Sequence, residues 1–127
     1  SLGRAAQLAY AMSGIDTPAT AFDVAEISDQ YAHQLPQYAE GLGLCEPGKG
    51  AQWLKDGGPD QRNVNRSGGM LAGNPLLLGG LVRAAEVSLQ LMGQAGDRQV
   101  ADARRGLAHG VMGPAGQFHS VAILERD

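Results

Sequence analysis

The chain has 127 residues and a net charge of −3, from 10 basic and 13 acidic side chains. This length suits one domain with a single core, and the slight acidic excess leaves no basic face for nucleic acid. Cys45 is the only cysteine and the three histidines are scattered, which excludes an intrachain disulfide and a structural zinc site. We therefore expect one domain over residues 1–127 in a reducing, cytoplasmic setting, with no metal site. No membrane span is expected either, because the longest stretch without charge, 67–82, is interrupted by asparagine, proline and glycines.

The first third of the chain predicts a helix, a strand and a second helix. Apolar residues recur at helical spacing from Gly3 to Ser13, and Gly14 suits a left-handed C-cap. Thr20–Ile27 alternates as an extended, largely buried strand does. Ser28–Asp29 then suits the start of a helix that Pro36 divides into two short pieces.

The middle of the chain predicts a long loop and then the main helix. Gly43–Asn63 is rich in glycine and proline and has no hydrophobic period, so we expect a surface loop that leads into a short strand at Asn63–Asn65. A helix should begin near Asn74, with Pro75 in its first turn, and end at Gly93. Its predicted core face is Leu78, Leu81, Val82, Ala85, Leu89 and Met92, and its predicted solvent face holds Arg83, Glu86 and Gln90.

The end of the chain predicts two strands, Arg105–Val111 and Phe118–Glu125, which a short loop over Met112–Gln117 makes antiparallel. Helices interleave with strands up to this hairpin, which is typical of the α/β class. We expect a mixed sheet with helices packed on it, built from the segments around Phe22, Val64, Leu107 and Val121.

Three loops combine small residues with a polar group: Ser28–Tyr31, Ser67–Pro75 and His109–Gly116. If all three leave the sheet at one edge, they surround a place where α/β proteins bind ligands. Each feature also has a structural interpretation. Asn74 suits a helix N-cap, His109 suits a buried core histidine, and Gly68-Gly69 suits a tight turn. Cys45 has no neighbouring base in the sequence and is a poor candidate for a nucleophile.

Six segments carry a further pattern: Phe22–Tyr31, Gly41–Gly50, Val64–Gly69, Gly73–Pro75, Gln90–Val100 and Leu107–Gly110. In this order they resemble the C-terminal domain of thiolases, most closely the sterol-carrier-protein and archaeal type. The resemblance implies one half of a five-layered αβαβα fold, and chemistry at the carbon–carbon bond next to an acyl-CoA thioester. The nucleophilic cysteine of that family lies in the N-terminal half, and Cys45 does not match it.

The three loops depart from the family pattern. The first, usually Asn-Glu-Ala-Phe or His-Asp-x-Phe, is Ser28-Asp29-Gln30-Tyr31 here, and the second, usually Gly-His-Pro, is Gly73-Asn74-Pro75. The third places His109 near an acid/base position of the family. An amide donates a hydrogen bond to an oxyanion but carries no proton at neutral pH. The resemblance thus implies catalytic roles for Asn74 and His109, and we assign substrate contacts to Ser28, Tyr31, Gly69 and Gly113.

The resemblance implies the C-terminal half of a thiolase-like acyl-CoA acyltransferase, such as an acetyl-CoA acetyltransferase of lipid metabolism. A coenzyme A thioester would be its substrate, with no bound cofactor. The altered loops leave two alternatives, a noncatalytic structural subunit of a heteromeric complex and a thiolase-fold retro-aldolase. The expected partner is an N-terminal thiolase-like half, in the same chain or another, through which the protein forms a homodimer. A zinc-ribbon and OB-fold subunit is a further candidate partner.

Overall fold

The computed structural model describes residues 1–113 and 115–127, apart from the side chain of Leu76. The helices are α1 (Leu2–Ser13), α2 (Pro18–Ala21), α3 (Gln34–Gly41), α4 (Gly50–Lys55), α5 (Gly58–Gln61), α6 (Gly69–Ala72) and α7 (Gly79–Leu91), with 3-10 turns at Leu76–Leu78 and Gly96–Arg98. The strands are β1 (Val24–Glu26), β2 (Arg105–Met112) and β3 (Phe118–Glu125). Helices and strands interleave up to the closing hairpin, so the predicted α/β class is confirmed.

The strands form a mixed sheet in the order β1-β2-β3, with β1 parallel and β3 antiparallel to β2. Ala25 lies beside Leu107 in the parallel pair. Val64 adds an isolated parallel bridge to Ala25, but the short strand expected there does not form. Asn63 and Asn65, on either side of it, have left-handed φ angles of 50° and 55°, which end the extended conformation.

The two faces of the sheet carry two apolar clusters, because successive strand residues point to opposite faces. One face packs against α1 and α3, and the other packs against α7. The buried residues of the first cluster include Ala25, Ile27, Leu42 and Leu107, and those of the second include Val24, Val87, Leu91 and Ala108. The sheet is therefore covered on both faces, as its largely apolar strands require.

The first helix and the closing hairpin follow the sequence prediction. Helix α1 ends at Gly14 in the left-handed conformation, with φ 63°, and β3 has the predicted bounds. The predicted strand Thr20–Ile27 is shorter than expected, because Pro18 begins the helical turn α2, which extends to Ala21. Proline favours the first turn of a helix, where its missing N–H group has no intrahelical partner.

Two further predictions in the first half are wrong. Ser28 and Asp29 do not start a helix: both are buried, and α3 begins at Gln34, with Pro36 in its first turn. Gly43–Asn63 is not a continuous loop, because it contains α4 and α5. These helices have six and four residues, too short for a hydrophobic period to show in the sequence.

The orientation predicted for the main helix is also wrong. Leu81 is 67% exposed, and Leu78, Val82 and Met92 are exposed with it. The buried face holds Arg83, Glu86, Val87, Gln90 and Leu91. Its polar side chains have partners: the side-chain amide of Gln90 donates to Glu86 and to the Arg98 carbonyl, and Arg98 forms a salt bridge with Glu86 at 2.9 Å. These bonds offset the cost of burying polar groups, so the smaller apolar face packs on the sheet.

This orientation predicts unequal effects for two leucine substitutions in the isolated chain. Leu107→Ala should cost about 2–5 kcal/mol of unfolding free energy, because Leu107 is fully buried. Leu81→Ala should stay within about 0.5 kcal/mol, as surface substitutions usually do. Chemical denaturation of both variants measures the difference. Equal losses, or a larger loss for Leu81→Ala, would contradict the orientation of α7.

Candidate active site

The buried carboxylate of Glu26 links the second candidate loop, Ser67–Pro75, to the end of β1 by hydrogen bonds. Glu26 is fully buried, and it accepts hydrogen bonds from the backbone N–H of Ser67 at 3.0 Å and from its hydroxyl at 2.5 Å. Burial raises the pKa of Glu26, and these two hydrogen bonds oppose the rise. The turn that begins at Ser67 is thereby fixed beside the start of the first loop.

Asp29 makes a second link between the same two loops. Its Oδ1 atom accepts the backbone N–H of Met70 at 2.8 Å, while Asn65 Oδ1 accepts the N–H of Ile27 at 2.7 Å. Gly69 has a φ angle of 65°, and a Cβ atom there would collide with the Asp29 carboxylate. Glycine at this position therefore lets the second loop approach Asp29 closely.

His109 lies at the centre of a buried aromatic cluster. Its Nδ1 atom accepts the backbone N–H of Ser28 at 3.3 Å, and its Nε2 atom lies 3.0 Å from Nδ1 of His119 on β3. The two imidazoles stack with ring centroids 5.3 Å apart, and the Tyr38 ring stands edge-on to both. Arg83 of α7 donates to the His109 carbonyl at 3.0 Å. Both ring nitrogens of His109 are thus engaged within the protein.

The surroundings of the two histidines keep both rings uncharged at neutral pH. Burial, together with the nearby His119 and Arg83, lowers the pKa of His109 to about 3. Burial also lowers the pKa of His119, while a hydrogen bond with the Gly116 backbone opposes this. His109 therefore enters any reaction as a neutral imidazole.

We expect this burial to make the fold sensitive to acid. The pKa of His109 falls from 6.5 to about 3 on folding, so between these values the unfolded chain binds more protons than the folded chain. The unfolding free energy should therefore decrease as the pH falls through this window. Denaturation at a series of pH values should show a shallower decrease for His109→Gln, and an unchanged slope would contradict the buried neutral histidine.

The first and third loops meet at a cleft of about 360 Å³. Tyr31 and Gly113, both predicted substrate contacts, line it, and Tyr31 stacks on His33 with ring centroids 6.0 Å apart. The other described lining residues are Gln30, His33, Gln34, Val111, Met112, Ala115 and Gly116. Its size and position between two loops at one sheet edge are those of a ligand site.

Asn74 lies on the exposed segment between α6 and the first 3-10 turn. It does not occupy the N-cap of α7, which is Leu78. The structure therefore joins Ser28 to His109 and Tyr31 to Gly113, with Gly69 packed on Asp29, and Asn74 lies at the exposed end of the second loop.

Cys45 has none of the features of an activated thiol. It is half-buried and unpaired, and burial and the neighbouring Glu40 raise its pKa. Over residues 1–113 and 115–127, no three histidine, cysteine or acidic side chains group as a metal site would need, and no helix has the length and apolarity to cross a membrane.

Sequence reasoning missed two residues that shape this site, His119 and Tyr38. His119 faces His109 because β2 and β3 pair with His109 opposite Val121 and Val111 opposite His119. A correct hairpin register places both histidines on one face of the sheet. Tyr38 follows only from the packing of α3, for which the sequence offers no comparable signal.

Comparison with known proteins shows the family of the chain. The profile described as "Thiolase C-terminal domain-like" matches residues 1–126. The acetyl-CoA acetyltransferase of Methanothermobacter thermautotrophicus is 38% identical over 116 residues, which are 88% of this chain and 30% of that protein. Sterol carrier protein 2 of Homo sapiens is 41% identical over 111 residues, which are 83% of this chain and 20% of that protein. The chain thus spans less than a third of the length of these curated relatives.

A solved structure supports the same fold. The chain described as "Ltp2-ChsH2(DUF35) aldolase" superimposes with a TM-score of 0.80 at 22% identity, over 98% of this chain and 31% of that chain. The match in architecture agrees with the family profile and with the predicted resemblance. The chain therefore belongs to the thiolase C-terminal domain-like family.

Proposed function

We propose that this chain is the C-terminal half of a thiolase-like acyl-CoA acyltransferase, which makes or breaks the carbon–carbon bond next to a coenzyme A thioester. Membership of the thiolase C-terminal domain-like family over residues 1–126 carries the proposal. The 38% identity to an acetyl-CoA acetyltransferase supports the reaction class. The cleft between the first and third loops offers a place for the acyl group or the pantetheine arm.

This reaction develops negative charge on the thioester oxygen and moves a proton at the adjacent carbon. Asn74 stabilises the oxyanion in our proposal, since its amide is a neutral donor on an exposed loop. His109 moves the proton: its uncharged ring can take one up from the adjacent carbon on the nitrogen that holds the lone pair. Tyr31 and Gly113 contact the substrate directly, while Ser28 and Gly69 hold the loops behind them.

The nucleophile comes from an N-terminal thiolase-like half, in the same chain or another, that covers the exposed face of α7. This face, the 3-10 turn before it and the strand ends beside it carry exposed apolar side chains, here called the α7 surface: Leu77, Leu78, Leu81, Val82, Met112 and Phe118. A shallow depression of about 290 Å³ lies between Leu81 and Phe118. Contiguous apolar surface of this kind marks a protein interface in a folded chain.

Replacing Leu81 by aspartate should therefore abolish association with the N-terminal half and the homodimer that depends on it. Leu81 is 67% exposed in this chain, so the substitution leaves the core of this half intact. Leu8→Asp is the matched control, because Leu8 is 52% exposed on α1, which packs on the opposite face of the sheet. Light scattering of the complete protein measures the assembly, and a stable wild-type monomer without a partner would contradict the proposal.

Turnover by the complete assembly tests the proposed reaction. Purified assembly is given acyl-CoA substrates for thiolytic cleavage and for condensation, and β-hydroxyacyl-CoA substrates for retro-aldol cleavage. Thiolysis or condensation supports the acyltransferase, whereas retro-aldol cleavage alone replaces it with the retro-aldolase.

We place the reaction in the cytoplasm, because the unpaired Cys45 suits a reducing compartment.

A noncatalytic subunit is the second candidate function, and one observation favours it. His109 is fully buried, and both of its ring nitrogens are hydrogen-bonded to other parts of the chain. A histidine in this state contributes to structure without meeting a substrate. The absence of turnover with every acyl-CoA class would support this candidate over the acyltransferase.

A further inference from the structure

The hydrogen bonds of the two histidines define their tautomers. The Ser28 N–H group can only donate, so the Nδ1 atom of His109 must hold a lone pair. In a neutral imidazole the hydrogen is then on Nε2, which donates to Nδ1 of His119. The hydrogen of His119 is therefore on its own Nε2 atom. The result is a directional chain from the Ser28 amide on the first loop through His109 to β3.

A proton cannot join this chain without breaking one of its bonds. If His109 gained a proton at Nδ1, two N–H groups would face each other across the 3.3 Å contact with Ser28. If His119 gained a proton at Nδ1, its new N–H bond would point at the Nε2–H of His109 across 3.0 Å. In both cases the lone pair that accepted a hydrogen bond is consumed, and a buried donor loses its acceptor.

We propose that His119 is a positioning residue that holds His109 as the neutral Nε2–H tautomer, and that the two rings must separate before His109 can meet a substrate. The catalytic part of this inference rests on the proposed acyltransferase function, but the neutral pair itself does not. Before separation, the Nε2–H group of His109 is occupied by His119. After separation, it can donate a hydrogen bond to the thioester oxygen, whereas a proton from the carbon beside the thioester can enter the ring only at Nδ1, which holds the lone pair.

The groups packed around the pair favour this uncharged state. Tyr38 of α3 stands edge-on to both rings, with centroids 5.0 Å from His109 and 5.6 Å from His119. Arg83 of α7 brings positive charge near the pair, and neither Arg83 nor Tyr38 offers a carboxylate to an imidazolium. Electrostatics and hydrogen bonding therefore act in the same direction.

Nuclear magnetic resonance of the complete protein, selectively labelled with ¹⁵N-histidine, tests the pair without any activity. Near pH 7 we expect both rings as Nε2–H tautomers and a scalar coupling between His109 Nε2 and His119 Nδ1 across the hydrogen bond. The coupling should vanish at the same pH at which His119 becomes protonated. His33→Asn identifies the signals of the remaining histidine of this chain, and His109→Gln and His119→Asn identify those of the pair. Another tautomer, or no coupling with both rings neutral, would overturn the inference.

Two substitutions then separate positioning from simple packing. In His119→Asn the side-chain oxygen takes the place of Nδ1 and still accepts from His109, whereas His119→Leu fills the space without an acceptor. We expect His119→Leu to lower kcat at least about 10-fold with KM unchanged, and His119→Asn to restore most of it. Equal activity of both variants and the wild type would overturn the inference while leaving the proposed function standing. If the wild type turns over no acyl-CoA, the proposed function fails, and the resonance experiment alone decides for or against the pair.

Discussion

Replacing His109 by alanine should lower kcat for acyl-CoA turnover by about 10²–10⁴-fold in the complete assembly, the usual loss for a group that moves a proton. The neutral ring is the titratable group of the third loop, and it is bonded to the first loop through the Ser28 amide. Its removal therefore takes away both the proton-transferring group and the tie between the two loops. Steady-state kinetics with a cleavable acyl-CoA measures the effect.

His109→Asn separates these two losses. The side-chain oxygen of asparagine lies near the position of Nδ1, so it can still accept the Ser28 N–H but cannot take up a proton. If His109 moves a proton, His109→Asn should be nearly as inactive as His109→Ala while unfolding closer to the wild type. An asparagine variant with wild-type turnover would restrict His109 to holding the loops together.

The main helix α7 shows that the spacing of apolar residues predicts where a helix lies more reliably than which of its faces is buried. The apolar spacing that predicts a helix through Leu81 is real, but α7 carries apolar residues on two faces, and Val87 and Leu91 belong to the smaller one. Gly80 favours this orientation, because it lets α7 approach β2 closely. A methyl group at Gly80 would lie only 3.3 Å from the Cα atom of Gly110 in β2. A helix with two apolar faces agrees with our proposal that an N-terminal half covers the wider, exposed face of α7.

The sequence predicts the parts of the candidate site that lie within single loops, but not the contacts that depend on the register of the β2–β3 hairpin. The three loops were located from their small and polar residues, and the pairing of Tyr31 with Gly113 across the cleft agrees with the expected common edge. The partner of His109 was not foreseen, because a shift of one residue in the β2–β3 hairpin would move His119 to the other face. Glu26 lies in a strand, as predicted, but its link to the second loop is not visible in the sequence. Its burial becomes favourable only through the hydrogen bonds from Ser67.

Replacing Asn74 by alanine should lower kcat by about 10²–10³-fold, the usual loss when one oxyanion donor is removed. The reason is chemical: the amide N–H₂ group donates to the negative charge that forms on the thioester oxygen, and a methyl group does not. KM should change little, because the donor acts on charge that is present only in the transition state. Asn74 is exposed, so the loss of turnover should far exceed any loss of stability, which the unfolding midpoint of the variant measures.

Three matched variants define the role of Asn74. Asn74→Asp keeps the size but replaces the donor by a carboxylate, so it should be at least as inactive as Asn74→Ala. Asn74→His introduces the residue that the thiolase pattern usually has at this position, and it should retain turnover because imidazole also donates. Cys45→Ser should be nearly silent, since burial and Glu40 keep that thiol protonated. If Cys45→Ser abolishes turnover while Asn74→Ala preserves it, the chemistry belongs to the loop before α4, and the assignment of the oxyanion donor is wrong.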